Sequence, residues 1–145
     1  MPLSPSSKIT FHFLVKSFNL TERSRLKKFI AALIKKEGLS LEHLSIIFCS
    51  DDYLLKINRD YLEHDFYTDI ITFDLSESGK LVGEIYISIE RVKENAVTYQ
   101  HSFKKELHRV LFHGALHLCG YKDKSRTDIK KMRFAEDKAL SRYFM

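Results

Sequence analysis

Two histidines four residues apart, His113 and His117, stand in the run His113-Gly-Ala-Leu-His117-Leu-Cys-Gly-Tyr-Lys-Asp123. On a helix, side chains at that spacing project from one face about one turn apart, so two imidazoles can share one metal ion. Gly120 breaks the helix, and the turn after it can swing Asp123 back toward the pair as a third ligand. Two imidazoles and a carboxylate leave a fourth position for water, the arrangement of a catalytic metal site rather than a closed structural one. Cys119 falls about 200° around the helix from His117 and faces elsewhere. Spacing alone leaves an even alternative: two histidines that are hydrogen-bonded separately. Leu107, Val110, Leu111, Gly114 and Leu118 form one apolar stripe, with Phe112 and Leu116 on the other side, so the helix is expected to be internal.

The segment also lacks a Glu directly after His113, which argues against the His-Glu-x-x-His route to peptide hydrolysis. Glu106 lies one heptad earlier on the same side. It could orient a ligand imidazole, or serve only as an N-terminal carboxylate favoured by the helix dipole. His12, His43, His64, His101 and His108 have no partner at ligand spacing and read as surface or sheet residues.

Positioning these groups requires a folded frame, and the chain supplies one. Its 145 residues are one domain's worth, 44% hydrophobic and 30% charged, with five Gly and two Pro. That composition excludes collagen-like, low-complexity and disordered classes. The longest apolar run, Phe29–Ile34, is far too short to cross a bilayer. The N-terminus lacks the pattern of a secretory leader, and Cys49 and Cys119 are too few for a disulfide scaffold. A cytoplasmic protein without a membrane partner or organic cofactor is expected.

Residues 1–7 read as a loose lead-in. A strand over Ile9–Val15 precedes a helix with Asn19 and Glu22 as its capping box, carrying Leu26, Phe29, Ile30, Leu33 and Ile34 on one face and stopping at Gly38. A strand over His43–Ser50 leads to a helix capped by Ser50, with Leu54, Ile57 and Tyr61 on one face. Thr68–Leu75 and Leu81–Ile87 form a hairpin. Ser88 and Ser102 cap two helices, and a last helix covers about Thr127–Tyr143. The order predicts an α+β fold: one domain over 1–145, a small mixed sheet of about four strands covered by helices, the histidine helix central.

Several ordered blocks in this frame resemble the YbeY-type endoribonucleases, the metal-dependent rRNA maturation factors of bacteria. They are His113-Gly-x-Leu-His117-Leu-x-Gly-Tyr121, Ile57-Asn58-x-x-Tyr61, Thr68-Asp69-Ile70-Ile71-Thr72-Phe73, Gly83-Glu84-Ile85, and Met132 with Glu136 in the last helix. The resemblance implies cleavage of single-stranded RNA phosphodiester bonds, with water activated by one divalent metal ion, Zn2+ first among candidates. It implies rRNA and the small ribosomal subunit as partners, and ribosome biogenesis as the setting. It also places Thr68, Asp69 and Thr72 near the cleft. The family's third His is replaced here by Asp123, an anionic ligand that lowers the net charge on the metal and makes other transition metals plausible. The Arg that usually follows the Tyr of the second block is Leu62, and Arg59 one turn earlier could substitute for it. The residue before Thr68 is Tyr67 rather than Pro. A metal-stabilised ribosome-assembly factor that binds rRNA or ribosomal proteins without cutting is the alternative.

The charge of +5 is unevenly placed. Residues 1–20 carry +2, residues 21–37 carry +4, residues 38–121 carry −5 and residues 122–145 carry +4. The first and last helices are therefore the basic elements. Lys122, Lys124, Lys130, Lys131 and Arg133, directly after the candidate site, could attract RNA phosphates or serve only as solvated helix faces, the commoner role for any single Lys.

Overall fold

The computed structural model of the chain describes residues 4–16 and 18–145. Pro5–Lys8 forms a single 3₁₀ turn, so part of the expected lead-in is ordered, while residues 1–3 lie outside the described residues. The elements that follow are β1 (Ile9–Phe13), α1 (Arg23–Lys36), β2 (Ser40–Cys49), α2 (Asp51–Leu62), β3 (Ile70–Asp74), β4 (Lys80–Ser88), α3 (Ile89–Thr98), α4 (Phe103–Leu118) and α5 (Arg126–Tyr143). The four strands form one mixed sheet in the order β1-β2-β4-β3. β1 and β4 run parallel to β2, and β3 pairs antiparallel with β4 as the expected hairpin. The fold is α+β.

Alternation along the strands divides the sheet into two faces. Ile46 pairs with Ile85 and Phe48 with Ile87, and these four enter the main core with α1, α4 and α5. Cys49, Ile71 and Phe73 point the other way and pack against Leu54 and Ile57 of α2. Each fully buried Ile, Leu or Phe of this kind contributes about 1.5–3 kcal/mol relative to an exposed one. α4 is internal, with Leu107, Val110, Leu111, Phe112, Ala115 and Leu116 all buried. Gly114 lets it approach the sheet: a Cβ there would stand 2.7 Å from Ile70 Cδ1 and 3.1 Å from Ile85 Cδ1.

Three local expectations are corrected. The Asn19–Glu22 capping box does not form, because Glu22 is itself the N-cap residue, in a left-handed conformation with φ 54°. Its carboxylate pairs instead with Arg25 and Lys104. Tyr61 does not share the buried face of α2; it is 72% exposed, and Leu55 and Asn58 join Leu54 and Ile57 there. His108 is neither a surface nor a sheet residue. It is buried in α4, stacked on Tyr143, with Nδ1–H donating to the Lys104 carbonyl over 2.7 Å. Ser50, Ser88 and Ser102 each accept the predicted capping hydrogen bond, and Ser125 does the same for α5.

Candidate metal centre

His113 and His117 occupy consecutive turns at the C-terminal end of α4, with ring centroids 4.6 Å apart. The helix ends where Gly120 adopts φ 104°, and the Tyr121 amide turns back to donate to the Leu116 carbonyl. This reversal carries Tyr121 and Asp123 past the histidines.

Each imidazole is fixed through its Nδ1. His117 Nδ1 lies 2.9 Å from the Tyr121 carbonyl oxygen, which only accepts, so this nitrogen carries the proton. His113 Nδ1 lies 2.6 Å from Glu136 Oε2, on α5. Burial alone would raise the Glu136 carboxyl, but hydrogen bonds from His113 and Arg109 outweigh it and hold the group below the usual carboxylate range. An ionised Glu136 accepts, so His113 Nδ1 is also the protonated nitrogen. In the neutral rings both Nε2 atoms are therefore left with lone pairs, and both face Asp123 Oδ2, at 3.6 Å from His113 and 3.0 Å from His117.

Lone pairs aimed at a carboxylate oxygen repel unless a proton or a metal ion lies between them, and at 3.0 Å the His117 Nε2–Asp123 Oδ2 contact has hydrogen-bond length. Donors placed tetrahedrally around a zinc-sized ion, at about 2.0–2.2 Å each, stand roughly 3.4 Å apart, and the observed separations bracket that value. The three donor atoms all fall within 4.8 Å of one another. This donor set fits a divalent metal.

Behind His113 runs a buried chain of charges. Arg109 Nη1 donates to Glu136 Oε1 over 2.9 Å and Arg109 Nε donates to Glu106 Oε1 over 3.0 Å. Glu106 is fully buried and Glu136 nearly so. Burial works against the Arg109 guanidinium, yet its bonds to the two carboxylates outweigh this and raise its pKa. Glu106 thus does not touch an imidazole; it holds Arg109, which holds Glu136, which holds His113. The residue that orients His113 is Glu136, which the sequence marks only by its place in the last helix.

A family model described as Endoribonuclease YbeY matches residues 14–144. The chain belongs to the YbeY family. A YbeY endoribonuclease of Cytophaga hutchinsonii is 53% identical over 86% of this chain and 87% of its own length. That of Flavobacterium psychrophilum is 46% identical over 91% and 94%. Among solved structures, the solution structure of TM1509 from Thermotoga maritima superposes with a TM-score of 0.64 at 29% identity, covering 93% of this chain and 89% of that one.

Against this YbeY frame, the remaining predicted residues divide. Asp69 lies at the entry to β3, where its Oδ2 accepts from Asn95 over 3.2 Å and its carbonyl accepts from the Ser88 amide. Burial raises its carboxyl pKa, against the opposing influence of His113 and Arg109. Thr72 shares the strand face of Ile70, the face packed beneath Gly114 of α4. Thr68 Oγ1 turns to the Ile70 carbonyl. Lys122 and Lys124 flank Asp123 and are exposed, as are Lys130, Lys131 and Arg133 on α5. Arg133 Nε comes within 3.9 Å of Glu136 Oε1. Arg59 is not brought to the cluster: it pairs with Asp65 at the end of α2, the helix on the opposite face of the sheet. Cys119 also contributes no donor, and burial pushes its thiol up to about 12.

Proposed function

We propose that this chain is a metal-dependent endoribonuclease that cuts single-stranded RNA during maturation of small-subunit rRNA. The observation that carries the reading is the convergence of His113 Nε2 and His117 Nε2 on Asp123 Oδ2, with both Nδ1 atoms committed elsewhere. A divalent cation held by these three residues, Zn2+ in this reading, supplies Lewis-acid polarisation of a phosphate oxygen and of water. The chain's own residues supply position and charge. Glu136 and the Tyr121 carbonyl fix the two rings, so the donor atoms are set before any ligand arrives. Lys122, Lys124, Lys130, Lys131 and Arg133 give the phosphate backbone a cationic approach to the α4–α5 end. In this reading Asp69, a half-buried carboxyl, lines the cleft with Thr68 and Thr72. The whole of residues 1–145 acts as one unit, in the cytoplasm. No helix among the described residues is long and apolar enough to cross a membrane.

One observation favours a second reading, a ribosome-assembly factor that binds RNA without cutting it. Leu62 stands where the family usually has Arg, and the nearby Arg59 is taken up by Asp65. A defined small-subunit rRNA precursor incubated with freshly purified, metal-loaded protein separates the two. Cleavage that a chelator abolishes supports the nuclease; precursor bound but left intact in the presence of metal supports the assembly factor.

A further inference from the structure

The two basic helices, α1 and α5, both pack on α4 and meet at one end. There Phe29 of α1 meets Tyr143 of α5, with ring centroids 5.1 Å apart, and the Arg25 guanidinium covers the Tyr143 ring. Beyond that contact a groove of about 420 Å³ lies between the helices, with Leu33 of α1, Leu116 of α4 and Ala135 and Ala139 of α5 among its walls. This volume is in the range of pockets that take small organic groups.

Four cations rim the groove: Lys36 from α1, and Lys131, Lys138 and Arg142 from α5. Among the described residues none of the four forms an ion pair. The Lys36 ammonium is drawn below the usual lysine range, first by partial loss of solvent and then by the charges of Arg142 and Lys138. The one carboxylate in the lining, Glu37, accepts the Tyr121 hydroxyl over 2.6 Å. Phe134 stands on the rim between Lys131 and Lys138 and is 72% exposed, an aromatic face with cations on either side.

The groove and the metal centre are linked through Tyr121. Tyr121, part of its lining, is the residue whose carbonyl holds His117, and Lys131 borders both the groove and the adjoining depression at Gly120 and Lys122. An apolar slot, an exposed ring and unpaired cations are together what a single-stranded nucleic acid needs: a face for the base and positive charge for the backbone.

We propose that the α1–α5 groove is a nucleotide subsite for RNA flanking the scissile linkage, with Phe134 stacking a base and Lys36, Lys138 and Arg142 holding the adjacent phosphates. This subsite rests on the endoribonuclease reading and deepens it. It explains why the positive charge is concentrated on two helices distant in sequence, only one of which directly follows the metal ligands.

The test is fluorescence anisotropy of the metal-loaded protein with a short, fluorescein-labelled, single-stranded 2′-O-methyl oligouridylate, over a salt series, alongside cleavage of unmodified RNA by the wild type. Phe134→Ala should raise Kd on the order of tenfold through loss of base stacking. Combined Lys36→Gln, Lys138→Gln and Arg142→Gln should flatten the plot of log K against log salt by about 0.7 for each phosphate that is no longer neutralised. Val97→Ala, a comparably exposed apolar site on α3, should leave Kd unchanged. Thermal melts monitored by circular dichroism report that each variant remains folded. If the wild type binds and cleaves RNA while the groove variants keep its Kd and salt slope, the subsite is overturned, the nuclease reading stands and the groove is left for a protein segment. If the wild type neither binds nor cleaves RNA, the nuclease reading fails and the subsite fails with it.

Discussion

His113 Nδ1 and Glu136 Oε2 lie 2.6 Å apart although 23 residues separate them, and this contact joins α4 to α5 at the candidate metal centre. The carboxylate fixes both the tautomer and the plane of the ring, so Nε2 is presented to Asp123. Removing its charge while keeping its shape should loosen that presentation. Glu136→Gln is expected to weaken metal binding about 10–100-fold, read by competition with a chelating dye. Unchanged affinity would mean that the ring is held by packing alone.

Arg109 carries a different burden. It neutralises two carboxylates, Glu106 and Glu136, that are themselves buried. Arg109→Ala strands both in a low-dielectric interior and should cost about 3–5 kcal/mol of stability. Urea denaturation followed by circular dichroism measures the loss. A change below about 1 kcal/mol would show that the carboxylates take up protons or water without penalty.

Gly114 is expected to resist enlargement even though Ala is the better helix former. The Ala preference is worth about 1 kcal/mol, but the new Cβ would meet Ile70 and Ile85 at 2.7–3.2 Å, and overpacking costs about 1–3 kcal/mol. Gly114→Ala should therefore lower the stability seen in denaturant titration. A gain would show that β3 yields easily beneath α4.

His108 should make the protein acid-sensitive. Burial lowers its pKa, against the hydrogen bond to the Lys104 carbonyl, so the folded chain keeps the ring neutral. The unfolded chain takes up a proton near pH 6.5. Stability is therefore fully present above that value and falls as the pH drops below it, because the unfolded state then binds more protons. Comparing wild type with His108→Phe isolates the effect. The variant should lose less stability between neutral and mildly acidic pH, and parallel pH profiles would rule the contribution out.

Most of this architecture is written in local pattern. The serine caps, the apolar α4, the β3–β4 hairpin and the helix break at Gly120 each depend on a few neighbouring residues, and each forms where the sequence places it. The failures have different sources. The start of α1 is set by a left-handed Glu22, a conformation that a non-glycine residue does not advertise. Tyr61 falls within a plausible helical stripe, but it sits in the last turn of α2, where its ring meets only the edge of the sheet at Phe73 and stays exposed. The support for His113 is non-local. Glu106 stands at a matching helical spacing and draws attention, whereas Glu136 reaches the ring only once α5 has packed across α4. No window along the chain contains that fact. A signal was nevertheless present, since Met132 and Glu136 sit four apart, an apolar and an acidic residue on one helical face. An acidic side chain on a buried face asks for a partner.

The dependence of RNA cleavage on the histidine-bound ion is read by comparing cleavage of single-stranded RNA by the metal-loaded wild type and by the His113→Ala/His117→Ala variant, with bound metal determined in both. The wild type should carry one divalent ion per chain and cut the RNA. The variant, still folded, should have lost both the ion and the cleavage. Full RNase activity in the metal-free double variant would show that cleavage does not depend on an ion held by these histidines.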